Sequence, residues 1–199
     1  MKPVFSLVLA LVIVVLFVNK VSQGVIPDGA AIATQVEGTV IVFTHEAPAG
    51  RPLSANDSVA KNDRVEVQAN SRLELRLPDG GQVRLSETAR LTVRMLKFEK
   101  RTGYQYLQAF LHNGKLWAKA SKRAMPDSSM DVTTSTGLAA GKLTVYGMDA
   151  EEDASTTINV YEGMVQAKSS AKEAPPADGT TGSLSEALPI SVRALQQVS

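Results

Sequence analysis

The stretch Lys61–Val93, K-N-D-R-V-E-V-Q-A-N-S-R-L-E-L-R-L-P-D-G-G-Q-V-R-L-S-E-T-A-R-L-T-V, decides the fold class. Val65 and Val67 alternate with Arg64, Glu66 and Gln68. Leu73, Leu75 and Leu77 alternate with Arg72, Glu74 and Arg76. Val83 and Leu85, then Leu91 and Val93, keep the same period. Apolar residues two apart with charges between them describe strands with one dry and one wet face, the antiparallel habit. Pro78-Asp79-Gly80-Gly81 separates two such runs. Asp and Gly supply the backbone angles of a tight hairpin, so Asp79 and Gly80 are expected to be structural turn residues.

Working outward, Val36, Val40 and Val42 mark an earlier strand. Asn113-Gly114 separates Tyr104–Leu111 from Lys115–Ala120, and Glu162-Gly163 separates Thr156–Tyr161 from Met164–Lys168. Gly114 and Gly163 are therefore expected at two further turns. Short strands punctuated in this way predict an all-β domain over residues 35–168, a single antiparallel β-sandwich or β-roll behind an N-terminal apolar helix. Residues 25–34 read as a spacer. Residues 169–199 read as a low-complexity linker and tail, small, polar and Pro-rich at first. Leu184 to Val198 turns apolar again, consistent with a docked strand around Ile190 and Val192 or with a short helix.

The start of the chain bears on location. Lys2 precedes an apolar run from Val4 to Val18, broken only by Ser6. As a helix this run spans about 22 Å, short of the roughly 30 Å hydrocarbon core. Ser22-Gln23-Gly24 fits a weak cleavage site, while Val21 and a snorkelling Lys20 fit an uncleaved anchor. Residues 1–24 are thus a membrane anchor or a signal peptide. Either places the remainder at the periplasmic or extracellular face of a membrane.

Composition excludes several classes. The 21 basic and 20 acidic residues nearly cancel, and nothing in their arrangement suggests a nucleic-acid surface. The chain has no cysteine, so thiolate chemistry and disulfides are excluded. The two histidines, His45 and His112, have no partner at metal-ligand spacing. No serine lies in a G-x-S-x-G elbow. Gly137–Lys142 is one residue short of a phosphate-binding loop and leads into a strand. The expectation is no catalytic residue, no metal and no cofactor.

Four fragments, in order, resemble the FecR domain family. Val36–Val42, V-E-G-T-V-I-V, resembles the family's first strand, and Lys61–Val93 its central signature. Leu111–Trp117, L-H-N-G-K-L-W, is similar to its leucine, glycine and aromatic segment. Thr157–Ala167, T-I-N-V-Y-E-G-M-V-Q-A, resembles its closing hairpin. The family's Val-Arg-Gly-Thr segment is represented by Gly141–Tyr146, G-K-L-T-V-Y. There Lys142 keeps the charge, Thr144 the hydroxyl and Tyr146 the ring, but Leu143 stands where the family has glycine. Leucine adopts positive φ only at a cost, so the local turn is expected to differ. Classical members carry a cytoplasmic part ahead of the membrane helix. Only Met1–Pro3 precede the apolar run here, so contact with a cytoplasmic sigma factor is not expected.

The resemblance implies an exported or membrane-tethered binding module of the bacterial envelope, acting by protein contact in sensing, scaffolding or assembly. The alternative is a glycan- or peptidoglycan-binding β module that uses aromatics on one sheet face. Trp117, Tyr104, Tyr106 and Phe110 are read as core residues. The concentrated acidic run from Asp149 to Asp153, with Glu151, Glu152 and Asp153 at its end, reads as a solvated loop tip and a plausible partner contact. Lys142 is the other candidate contact residue.

Overall fold

The computed structural model describes residues 29–151 and 155–169 in full, and 190–194 as backbone. The apolar segment, Glu152, Asp153 and most of the tail lie outside the described residues. Among those described there is no helix. Thirteen strands form one sheet: β1 (Ala30–Glu37), β2 (Val40–Phe43), β3 (Arg51–Pro52), β4 (Ser58–Ala60), β5 (Arg64–Val67), β6 (Arg72–Arg76), β7 (Gln82–Leu85), β8 (Arg90–Glu99), β9 (Tyr104–Lys119), β10 (Ser129–Thr133), β11 (Gly137–Ala150), β12 (Thr156–Ser169) and β13 (Ile190–Ala194).

The central alternation resolves as expected. Val65, Val67, Leu73, Leu75, Val83, Leu85, Leu91 and Val93 are all buried, and the charged residues between them face outward. Strands β6 and β7 are joined by the Pro78–Gly81 turn. Gly80 sits there at φ +92° and donates its N–H to Leu77 O at 2.9 Å. Asp79 Oδ1 accepts the Gly81 N–H at 2.8 Å. Asp79 and Gly80 are turn residues, as the sequence predicts.

Gly114 and Gly163 are not. Each has positive φ, +86° and +81°, but each lies inside a continuous strand. The two fragments expected on either side of Gly114 are one sixteen-residue strand, β9. Those flanking Gly163 are one strand, β12. Both glycines serve as bends. The N-terminal part of β9 runs between β8 and parallel β10, and its C-terminal part between β7 and β11. β11 and β12 pair along nearly their whole length, with shifts in register at Lys142/Val145 and Val145/Tyr146. Long strands that bend at glycines and bulges carry one sheet around a corner.

The result is a curled sheet rather than two separate ones. One half contains β3, β2, β5, β8 and the first part of β9. The other contains β4, β1, β6, β7 and the second part. Both contribute to a single core, from Val42 and Val65 on one side to Leu73, Leu116 and Ile158 on the other. Tyr146 is its largest fully buried side chain, and its hydroxyl donates to Met130 O at 3.0 Å.

Two further expectations change, and one open alternative is decided. The sheet is not wholly antiparallel, since β9–β10 and β12–β13 are parallel pairs. β1 begins at Ala30, inside the stretch read as spacer. It pairs with β4 and β6 and buries Ala30, Ala31 and Ala33; these small residues give too weak an apolar signal to read as a strand. Of the two readings of the tail, Ile190–Ala194 takes the strand, beside β12.

Candidate functional site

The acidic run does lie at a chain reversal. β11 ends at Ala150, and Glu151, exposed, donates its N–H to Ser155 O at 3.0 Å to close the connection to β12. Its neighbours Glu152 and Asp153 lie outside the described residues. Asp149 is not part of the tip: it sits within β11 and accepts from Lys115 Nζ at 2.7 Å. That hydrogen bond holds the Lys115 ammonium above its usual pKa. Lys142 lies near the middle of β11. Nine residues separate it from Glu151, on the order of 25–30 Å of strand. The two candidate contacts are therefore not brought together.

Lys142 instead belongs to a bulge. It pairs in register with Met164, and the next residue, Leu143, has φ +50°. Opposite lies Gly163, where an added β-carbon would stand 3.0 Å from Leu143 O and 2.8 Å from Thr144 Cγ2. The bulge thus needs glycine at 163, and it holds leucine in a left-handed conformation that costs an L-residue about 1–2 kcal/mol. Leucine does adopt a positive φ here. It stays 47% exposed, and Met164 is 77% exposed. Two large apolar side chains and a lysine project from one bulge, beside the part of β12 that extends past the Val160–Ala194 end of the β12–β13 ladder.

The aromatics are the second departure. In β9 the buried apolar residues are Leu107, Ala109, Leu111, Leu116 and Ala118, with Gln105 buried in the same phase as the first three. Tyr104, Tyr106, Phe110 and Trp117 occupy the opposite phase and are only partly covered. Strict period two already places Tyr104, Tyr106 and Phe110 off the core, because Leu107 and Leu111 cannot share a face with them. Trp117 has the parity of Leu111 and faces outward because the burial phase shifts across the Gly114 bend. In the first half of the sheet, Arg94 lies over Phe110 at 4.5 Å, and His112 meets the Phe110 ring at 4.7 Å. Partial burial, then Arg90, Arg64 and Arg94, hold the His112 pKa below its ordinary value.

In the second half, the outward face carries a cross-strand row. Gln35, Glu74, Arg84, Trp117, Gly147 and Asn159 are successive register partners from β1 to β12. Arg84 stacks on Trp117 at 4.7 Å and donates Nε to Glu74 at 2.8 Å. Thr34 Oγ1 donates to the same carboxylate at 3.0 Å. The row lies in an open trough of about 810 Å³.

Among the described residues no group of His, Cys, Asp or Glu could hold a metal ion. Comparison with protein families matches the chain to FecR protein over residues 63–166, more than half its length. The chain belongs to the FecR family. No curated protein and no solved structure matches it significantly. Its FecR region begins at Asp63, just ahead of β5, and ends in β12. It covers both bends, the Leu143 bulge and most of the trough, and leaves β1–β4 outside. Membership makes this an envelope-associated sensing or signalling protein, with the envelope-facing location typical of FecR proteins.

Proposed function

We propose that this FecR chain is a non-catalytic sensing module, held at the envelope by its apolar N-terminal segment, that works by protein contact through the β11–β12 bulge. The observation that carries the reading is Leu143. It is a large apolar residue, half exposed, in a backbone conformation that glycine would occupy without strain. Strain of this kind concentrates at functional positions, and folding alone favours glycine there. Exposed apolar side chains beside a strand edge that is unpaired past Val160 among the described residues suit a protein partner, which can both bury Leu143 and Met164 and add backbone hydrogen bonds to β12. Lys142 adds a cation at the rim, where charge governs encounter more than affinity.

The test is a photoreactive amino acid in place of Leu143 in the full chain, crosslinked in native membranes. A discrete adduct is expected, absent when the same group replaces Arg101, whose side chain is 87% exposed. Equal labelling from both positions would show that the bulge is ordinary surface. A reporter active only outside the cytoplasm, fused after Ser199, checks the topology; a silent but well-expressed fusion would refute it.

A further inference from the structure

The trough on the second half of the sheet is separate from the Leu143 bulge, and its lining is unusual for a solvated sheet face. It combines aromatic rings, a gap between them and a balanced set of charges. Trp117 is flanked on the β7 side by Arg84, stacked on its ring. On the β11 side its direct register partner is Gly147, so no side chain rises there. The absence is not imposed by the backbone. Gly147 has ordinary φ, and an added β-carbon would meet only ordinary contacts, the nearest being Tyr161 Cε2 at 3.4 Å and its hydroxyl at 3.5 Å. The gap is therefore a feature of the surface, with Trp117 on one side and the Tyr161 ring over the other.

Charge narrows the ligand class. Glu37, Glu74 and Asp149 line the trough with Arg72, Arg84 and Lys115, three negative against three positive. Two of these pairs are closed at 2.8 and 2.7 Å. A surface that neutralises itself gives no net attraction to a polyanion or a polycation. It does present carboxylates, guanidinium groups and the amides of Gln35 and Asn159 as fixed donors and acceptors around apolar rings. An uncharged ligand with flat apolar faces and many hydroxyl groups fits that combination. From Glu74 to Asn159 the row crosses four strand spacings, about 19 Å along the sheet, which suits an extended chain rather than a single small molecule.

We infer that this trough is a binding site for an extended, uncharged oligosaccharide, with Trp117 and Tyr161 as stacking surfaces on either side of Gly147. The site is independent of the protein contact proposed at the bulge.

Trp117 is the only tryptophan in the chain, so its fluorescence reports on the trough alone. The experiment titrates the full chain in mild detergent with two probes, the β-1,4-linked tetramer of N-acetylglucosamine and cellotetraose. A saturable change in Trp117 emission with at least one of them is expected. Gly147→Val fills the gap without backbone strain, and Tyr161→Ala removes an exposed ring. Each should weaken the response at least tenfold while melting within a few degrees of the parent, and Leu143→Asn should leave it unchanged. No saturable response to either sugar up to about 10 mM, ten times the ~1 mM dissociation constant of a weak specific site, would overturn the inference. A response that survives both trough variants, or one given instead by an uncharged alanine–serine tetrapeptide, would also overturn it. Loss of the sugar response in Gly147→Val while the photoreactive residue at position 143 still gives its adduct would show that the two sites stand or fall separately.

Discussion

Replacing Gly114 with alanine tests whether β9 bends where the structure bends it, and Gly80→Ala is the internal control. Both glycines have left-handed φ, +86° and +92°. Each substitution therefore costs about 1–2 kcal/mol in backbone conformation, offset by about 0.4–1 kcal/mol because alanine restricts the unfolded chain. At Gly80 little else changes, since the nearest atom to the new β-carbon is Ser121 Oγ at 3.6 Å. Gly80→Ala should thus cost about 1 kcal/mol. At Gly114 the new β-carbon would lie 2.6 Å from Ala89 Cα and 2.9 Å from Ala89 N. These are main-chain atoms of a buried residue, held by Ala89 N–H to Ser86 O and by Val67 N–H to Ala89 O, so they cannot swing aside as a side-chain tip would. Overpacking of this kind adds about 1–3 kcal/mol, for a total near 2–4 kcal/mol. With roughly 3 °C lost per kcal/mol in a domain of this size, Gly114→Ala should melt about 6–12 °C below the parent and Gly80→Ala about 3 °C below. Urea denaturation followed by Trp117 fluorescence gives the same comparison in free energy. Equal midpoints for the two variants would mean that β9 does not press on Ala89, and the curled sheet would have to be redrawn as separate hairpins.

Tyr146 is wholly buried, and burial drives its phenol well above the usual range, with Asp131 adding to the shift. The folded state therefore keeps a proton that the unfolded chain releases above about pH 10. Stability should fall by up to ~1.4 kcal/mol per pH unit beyond that point. Tyr146→Phe should cost about 1 kcal/mol at neutral pH for the lost bond to Met130 O and should flatten the alkaline slope in pH-dependent melts; an unchanged slope would mean that other groups cause it. His112 has the opposite sign: its depressed pKa means that the unfolded chain binds the proton more readily, so its contribution is present above about pH 6.5 and is lost on acidification. His112→Gln should reduce the fall in melting temperature between about pH 7 and 5, where a chain without the shift would show no His112 effect. Changing Glu151, Glu152 and Asp153 to Lys should alter stability by no more than about 0.5 kcal/mol and leave the Leu143 crosslink in place; an unchanged melt with a lost crosslink would move the partner contact to the acidic tip.

The amino-acid sequence alone determined that the chain is all-β, that Lys61–Val93 supplies alternating core strands, and that Asp79-Gly80 is a tight turn. Those properties are local: period two follows from strand geometry, and an Asp-Gly pair between two alternating runs has little else to do. The FecR resemblance was legible on the same fragments, and the glycine–aromatic segment and nearly all of the central signature and of Thr157–Ala167 fall inside residues 63–166. The outward placement of Tyr104, Tyr106 and Phe110 could also have been read from the parity of Leu107 and Leu111, whereas that of Trp117 depends on the phase shift at the Gly114 bend. Tertiary structure alone decided what Gly114 and Gly163 do. A positive-φ glycine serves a hairpin and a bend equally well, and only the pairing of β9 with β7, β8, β10 and β11 distinguishes the two. The same holds for the trough. Gln35, Glu74, Arg84, Trp117, Gly147 and Asn159 are scattered over 125 positions of the chain. They become one row because strand register, set by burial of the opposite face, aligns them across the sheet.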